Sequence, residues 1–160
     1  MTTKASVATR IKFEDTVSYL LAKVTTAFRN ALERHMGEIG LHGGQIFILL
    51  ELWKQDGLRQ IDLATRLNLA APTITKMLRG LTDVNLVTRS KTDGDARSTR
   101  IFLTKQGLGI RDDIERQWLE LEESCLSPLT KTERLVLFEL LAKLRNTYTT
   151  SGEELEDEDE

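Results

Sequence analysis

The sequence has little cysteine, little proline and few aromatic residues: one, two and 6%, respectively, among 160 residues. A single cysteine excludes an intrachain disulfide framework and a cysteine-based zinc site, and it suits a reducing compartment. Two prolines and ten glycines argue against collagen-like, low-complexity and small all-β chains. No apolar run approaches the roughly 20 residues that span a bilayer, and the N-terminus lacks the apolar core of a signal peptide. We therefore expect a cytoplasmic, mainly helical protein. We expect one domain, because a chain of this length completes about one hydrophobic core.

The low net charge of −3 conceals an uneven distribution. Residues 153–160 contain seven acidic side chains and no basic one, so the rest of the chain carries +4. Between Arg59 and Arg111, ten basic side chains accompany four acidic ones. Such a basic excess is typical of a surface that binds a polyanion, although long solvated side chains give the same composition. Charge alone leaves both interpretations open.

Apolar residues recur every three or four positions in six segments, which is the period of one face of an α-helix. These segments are about 11–36, 46–53, 61–67, 74–81, 108–125 and 135–148. The third and fourth are separated by only about four residues, from Asn68 to Ala71, which predicts a helix-turn-helix. Pro128 ends the fifth helix, and the spacing from Thr130 to Glu133 is that of a capping box at the start of the sixth.

The pattern changes to alternation in residues 87–92 and 98–104, which are rich in β-branched side chains. Asp93, Gly94 and Asp95 lie between them and supply the chemistry of a tight turn. We therefore expect a small β-hairpin. Its exposed edge carries four cations, Arg89, Lys91, Arg97 and Arg100.

The helices at the two ends of the sequence are long and amphipathic. A helix of about 20 residues extends about 30 Å, which is further than a compact central domain covers. We therefore expect a C2 homodimer built from the N- and C-terminal helices. The alternative is a monomer in which these helices cover one another.

Six short motifs follow one another between about residues 10 and 150: Leu41–Gln45, Leu63-Ala64, Thr73–Leu78, Leu86–Arg89, Asp95–Arg97 and Leu103–Gly107. Together they resemble the MarR family of bacterial regulators. The resemblance implies a winged helix-turn-helix domain over 1–150, with dimerisation helices at about 11–36 and 105–150 and a DNA-binding lobe at about 42–104. The run of acidic residues predicts a disordered tail at 151–160. It also implies a homodimeric transcriptional regulator, commonly a repressor, that binds an inverted repeat in double-stranded DNA and leaves it on binding a small aromatic or phenolic effector.

The fourth helix suits contact with DNA on physical grounds as well. Thr73 and Thr75 are small hydrogen-bonding residues that suit contact with base edges. Lys76 suits contact with phosphate or guanine, and Arg79 is expected to reach the DNA backbone. Thr73 could instead serve only the first helical turn.

The resemblance places Arg97 and Asp95 at the tip of the wing. It implies that Arg97 enters the minor groove or pairs with phosphate and that Asp95 orients the Arg97 side chain. Arg89 either binds phosphate or braces the wing through an ion pair. The complete set of expected DNA contacts is Thr73, Thr75, Lys76, Arg79, Arg89, Lys91, Arg97, Ser98 and Arg100.

Two positions depart from the family pattern. Ala70 and Ala71, followed by Pro72, stand where a capping side chain is common, so we expect free amides there that bind a phosphate. Asn85 stands where the family has glycine before the wing, and asparagine is the next best residue for left-handed geometry.

Other chemistries find little support. With only His35 and His42, the sequence shows no catalytic arrangement, so we expect no enzyme, no cofactor and no metal site. His35 is expected to pack, and Cys125 to be a buried thiol on the apolar face of the fifth helix. A winged-helix protein-interaction module and a thiol-based redox-sensing regulator remain the alternatives.

Effector contacts are expected from Phe13, Tyr19, His42, Phe47 and Trp118, each of which could equally belong to the core. The acidic tail is expected to be a solubilising terminus. The alternative is that it competes with DNA for the wing.

Overall fold

A computed structural model of the chain describes residues 11–92 and 95–153. For residue 92, for 95–98 and for 147–153, it describes the backbone only. The chain divides into two compact units, Met1–Leu121 and Glu122–Glu160. In the described part of the chain, no helix has both the length and the apolar content needed to cross a bilayer.

The fold is mainly helical, with a small antiparallel sheet, as predicted. The helices are α1 (Val17–Gly37), α2 (Gln45–Lys54), α3 (Gln60–Leu67), α4 (Ala71–Asp83), α5 (Lys105–Gly109), α6 (Arg111–Leu126) and α7 (Lys131–Glu153), and a short 3₁₀ helix covers Phe13–Asp15. The strands are β1 (Leu58–Arg59), β2 (Val87–Thr92) and β3 (Asp95–Leu103). Their order in the sheet is β1-β3-β2.

Several boundaries differ from the sequence prediction. The first helix begins only at Val17, because the Thr16 hydroxyl accepts a hydrogen bond from the Tyr19 amide and caps it there. The predicted fifth helix is two helices, α5 and α6, joined at Ile110. α7 continues to Glu153, three residues into the segment 151–160 that we expected as a disordered tail, whereas 154–160 lie outside the described residues.

The strand β1 was not predicted, because a two-residue strand carries no alternation to detect. It pairs with β3 through Leu58 opposite Ile101 and Arg59 opposite Arg100. Leu58 and Ile101 are both buried. The strand β1 therefore connects the base of the β2–β3 hairpin to the start of α3.

The core lies among α2, α3, α4 and the sheet. Its fully buried side chains include Ile48, Leu49, Leu63, Ile74 and Leu78, each 0% exposed. Burying a side chain of this size contributes about 1.5–3 kcal/mol, so this cluster determines how the helix-turn-helix packs. Two expectations of burial were wrong: Ile61, in the predicted stripe of α3, is 65% exposed, and Cys125 is also exposed.

The α2 and α4 helices approach closely at Gly80. A Cβ atom on Gly80 would meet the Nε2 atom of Gln45, a buried polar residue at the start of α2, so a larger residue there would displace the Gln45 side chain. The Gln45 Oε1 atom accepts a hydrogen bond from the His42 amide at 2.9 Å. This close crossing holds α4 against the core.

Candidate nucleic-acid interface

The helix α4 separates an apolar face from a polar one. Ile74, Leu78 and Leu81 are buried. Thr73, Thr75, Lys76 and Arg79 are all exposed, as predicted from the sequence. The second helix of the helix-turn-helix thus presents two small hydroxyl residues and two cations to its surroundings.

The start of α4 has no side-chain cap. Ala70 is the N-cap and Pro72 stands in the first turn. The amides of Thr73 and Ile74 both donate to the Ala70 carbonyl, at 2.9 and 3.2 Å. Two of the amides that we expected to be free for a phosphate are therefore used within the helix.

The Thr75 hydroxyl takes part in two hydrogen bonds within the helix-turn-helix. It donates to the Ala71 carbonyl at 2.9 Å. It also accepts from Gln60 Nε2, on α3, at 2.6 Å. Sequence reasoning missed Gln60, because nothing in the pattern distinguishes it from any polar residue at a helix start.

The wing consists of β2 and β3, with Arg89 opposite Ile101 and Lys91 opposite Thr99. Both Arg89 and Lys91 are exposed, so their charges are available to a ligand. The backbone of Asp95, Arg97 and Ser98 belongs to β3, but their side chains lie outside the described residues.

Arg100 is less available than its neighbours on the wing. It is only partly exposed, and its Nη1 atom donates to the Gly57 carbonyl at 2.8 Å. This bond crosses from β3 to the loop before β1. Arg100 therefore holds the base of the wing against the loop before β1.

A second arginine at the wing base is also paired. Arg59 donates to both carboxylate oxygens of Asp62, from Nε at 3.0 Å and from Nη2 at 2.7 Å. Asp62 additionally accepts from the Arg59 amide at 3.0 Å and so caps α3. The Arg59 guanidinium lowers the pKa of the Asp62 carboxyl to about 2, and the Arg100 charge adds a smaller contribution. Asp62 is therefore ionised at neutral pH.

The segment that follows the wing is fixed by backbone contacts, which explains the motif Leu103–Gly107. The Thr104 hydroxyl donates to the Asn85 carbonyl at 2.6 Å and accepts from the Gly107 amide at 3.0 Å. A Cβ atom on Gly107 would overlap the Leu86 carbonyl oxygen, which belongs to the backbone, so only glycine fits. Asn85 has a φ of 56°, as expected for asparagine in the place of glycine.

The expected effector residues do not form one cluster. Phe47 and Trp118 pack edge to face, with ring centroids 6.3 Å apart, and Phe28, which we did not predict, packs against Trp118 at 6.4 Å. Phe13 is 71% exposed and Tyr19 is 40% exposed on the N-terminal helices.

His42 is also engaged elsewhere, since its Nδ1 lies 2.6 Å from Glu33 Oε1. Glu33 Oε2 accepts from the Gly43 amide at 2.7 Å. The His42 hydrogen bond and then the Gly43 amide lower the pKa of the Glu33 carboxyl. His42 therefore helps to join α1 to the start of α2.

An apolar groove of about 420 Å³ lies beside the pair of aromatic rings formed by Phe47 and Trp118. It is lined by Ile46, Leu50, Trp53, Ile114, Glu115, Trp118 and Leu119. Of the five expected effector residues, only Trp118 lines it. The Trp53 ring also receives the Arg111 guanidinium, 5.4 Å from its centroid.

Among the described residues, no group of three or more histidine, cysteine, aspartate or glutamate side chains is placed to bind a metal ion. His35 is packed, as expected: its Nδ1 lies 3.2 Å from Gln117 Oε1, and Gln117 Nε2 donates to Glu38 at 3.3 Å. His35 thus belongs to a partly buried polar network.

Comparison with known proteins gives the same picture as the fold. The sequence profile of the MarR family matches residues 41–99, which hold α2 to α4 and most of the wing. The chain is 31% identical to the HTH-type transcriptional regulator TtmR of Methylorubrum extorquens over 120 residues, which are 75% of this chain and 58% of that protein. The chain therefore spans less than two thirds of that relative.

Solved structures share the fold over most of the chain. A crystal structure of MarR superposes with a TM-score of 0.78 at 21% identity and covers 91% of this chain and 99% of its own. The MepR–DNA complex of S. aureus superposes with a TM-score of 0.72 at 26% identity and covers 82% of this chain and 98% of its own.

Proposed function

We propose that this chain, which belongs to the MarR family by its match to the family profile and its similarity to TtmR, is a sequence-specific regulator of transcription that binds double-stranded DNA as a homodimer. The observation that carries the proposal is the exposed face of α4, where Thr73, Thr75, Lys76 and Arg79 lie opposite a buried apolar face. Similarity to MepR, solved as a complex with DNA, supports the same role for this surface.

In this proposal α4 enters the major groove and the wing follows the adjacent backbone. Thr73 and Thr75 approach base edges, whereas Lys76 and Arg79 bind phosphate or guanine. From the wing, Arg89 and Lys91 bind phosphate, together with Ser98 and the donors that Arg100 retains. Arg97 enters the minor groove, where a narrow groove concentrates negative potential, and Asp95 orients it.

The homodimer explains why so much apolar surface is exposed on the terminal helices. On α1, Val17, Leu20 and Val24 are 56 to 77% exposed. On α7, six apolar side chains are 40 to 73% exposed: Leu135, Val136, Phe138, Leu140, Leu141 and Leu144. Exposed apolar helix faces of this kind mark interfaces. We propose that a second copy covers it through a two-fold axis.

A repressor released by a small effector completes the proposal. The apolar groove beside Trp118 suits an aromatic ring, because its lining is almost entirely hydrophobic and includes two tryptophans. A ligand that prefers one spacing of the two recognition helices would shift the dimer away from the spacing of about 34 Å that successive major grooves require. We propose that such a protein acts in the cytoplasm and is not an enzyme.

The test is selection of bound sequences from random double-stranded DNA with the purified protein. We expect an inverted repeat whose half-site centres lie about 10 base pairs apart. Arg97→Ala should weaken binding to all sequences, whereas Thr75→Ala should change the preference at individual base pairs. If no sequence is enriched and binding shows no dependence on salt, a protein-interaction module explains the fold better, and the proposal fails.

A further inference from the structure

A polar groove lies among α3, β3, β1 and the loop that precedes β1. Its volume is about 360 Å³, which is within the range of sites for small ligands. It is lined by Gln55, Leu58, Asp62, Thr65, Arg66 and Arg100. The groove shares no lining residue with the apolar groove beside Trp118 or with the exposed face of α4. It is therefore a separate cavity, to which the proposed function assigns no ligand.

Arg100 brings an unbalanced positive charge to this groove. Its side chain is partly buried, and its Nη1 atom donates to the Gly57 carbonyl at 2.8 Å. None of the ion pairs among the described residues includes Arg100. The segment 51–66 carries three acidic and three basic side chains, so it is neutral without Arg100. Since a guanidinium has five N–H donors and one of them is used, the others are left for an anion.

The acidic side chains of the segment 51–66 already have partners. Arg59 binds both carboxylate oxygens of Asp62, at 3.0 and 2.7 Å. Glu51 forms an ion pair within α2 at 2.6 Å. Asp56 accepts from two backbone amides, at 3.0 and 2.9 Å. Among the described residues, the charge of Arg100 is thus left without a carboxylate partner.

The other polar side chains of the groove also favour an anionic ligand. Arg66 donates to Gln55 and has no acceptor of its own, so it meets the Gln55 carbonyl oxygen and leaves the Gln55 amino group as a donor. Thr65 is exposed, and its hydroxyl group can donate or accept. Asp62 supplies an acceptor, because its Oδ1 atom accepts only from Arg59 Nη2 and retains a lone pair. A lining rich in donors, with one acceptor, suits a carboxylate that also carries a hydroxyl group.

We propose that this groove binds a small hydroxy monocarboxylic acid, whose carboxylate pairs with Arg100 and whose hydroxyl group donates to Asp62. The single negative charge of such a ligand balances the single unpaired cation. Hydrogen bonds from a guanidinium to a carboxylate are among the strongest in proteins, which favours a carboxylate over a neutral ligand of the same shape. The site involves neither the apolar groove nor the entry of α4 into DNA, so it does not depend on the proposed function.

The test is a titration of the isotope-labelled full chain with sodium L-lactate in the absence of DNA, followed by NMR of the backbone amides and the arginine Nε–H groups. Lactamide, which has the hydroxyl group but no charge, and sodium chloride at equal concentrations are the controls. We expect saturable shifts at Arg100 and Thr65 with lactate. The affinity for lactamide should be at least tenfold lower, because a charged acceptor forms the stronger hydrogen bond, and chloride should give no saturable shift.

Three variants locate the carboxylate. Arg100→Gln removes the charge but keeps a donor for the Gly57 carbonyl, and it should lower the affinity for lactate at least tenfold. Arg100→Lys restores the charge without the planar fork, so it should bind more tightly than Arg100→Gln and more weakly than the parent. Arg29→Gln is the matched control, because Arg29 is an exposed arginine on α1 outside the groove lining, and its affinity should equal that of the parent.

Different results would overturn the inference. Equal affinities for lactate and lactamide, or an equal loss in Arg29→Gln, would mean that Arg100 holds no carboxylate. Saturable shifts confined to Trp53 and Trp118 would place the ligand in the apolar groove instead. If lactate does not bind, whereas Arg100→Gln lowers the salt dependence of DNA binding, Arg100 serves DNA phosphate alone, and the inference fails while the proposed function stands. A chain that binds lactate through Arg100 but selects no DNA sequence would leave the inference standing and overturn the proposed function.

Discussion

Lys91 provides a quantitative test of the proposed DNA contact. It is an exposed cation on β2, and a homodimer presents two copies of it. Each phosphate contact contributes about 0.9 to the slope of log affinity against log salt, so Lys91→Ala should lower the slope of the dimer by about 1.8. Between 50 and 200 mM salt, the ratio of parent to variant affinity should therefore shrink about twelvefold.

The assay is fluorescence anisotropy with one labelled operator duplex over that range of salt. Lys131→Ala is the matched control, because Lys131 is an exposed lysine at the start of α7, outside the proposed contact set, and its slope should equal that of the parent. A variant that binds more weakly by the same factor at every salt concentration would refute the reasoning, since it would show that Lys91 contributes by something other than the release of counterions.

Three further predictions concern stability and assembly. Asp62→Asn should lower the free energy of unfolding by about 1 kcal/mol, because the Arg59 pair is a partly exposed one. The pKa of Asp62 is lowered to about 2 in the folded chain, so this stabilisation is present above the ordinary aspartate pKa and is lost as the pH falls toward 2; urea titrations should show parent and variant converging below pH 4. Gly107→Ala should cost about 3 kcal/mol in thermal unfolding, because its methyl group would overlap the Leu86 carbonyl. Phe138→Glu, at a position 73% exposed, should leave the monomer folded but abolish the dimer in analytical ultracentrifugation; an unchanged dimer would place the interface elsewhere.

The elements that the sequence pattern predicted are those in which local chemistry and burial agree. Leu63 and Ile74 mark the buried faces of α3 and α4, and the Thr130 to Glu133 capping box forms at the start of α7, with Thr130 donating from its amide to Glu133 at 2.7 Å. The capping box joins residues three positions apart without help from the rest of the chain, and the apolar positions that become buried recur at the same local spacing. Such elements are readable from one sequence.

What the pattern could not predict depends on contacts distant in sequence. Leu58 pairs with Ile101 and so makes residues 58–59 a strand, and Gln60 donates a hydrogen bond to Thr75 that connects α3 to α4. Neither has a periodic signal. Arg100 shows the same limit, since its charge indicated phosphate whereas its partner, the Gly57 carbonyl, lies 43 positions away.

The proposed dimer and the proposed DNA contact can be tested separately by the same salt titration. If the chain binds DNA as a dimer through about six to ten phosphates, the slope of log affinity against log salt lies between about −5 and −9. A monomeric Phe138→Glu variant keeps half of these contacts, so its slope should have about half that magnitude. Lys91→Ala removes two contacts from an intact dimer and leaves the base preferences unchanged. A Phe138→Glu variant that loses affinity but keeps the full slope would show that both copies still bind, so the apolar face of α7 would need another partner.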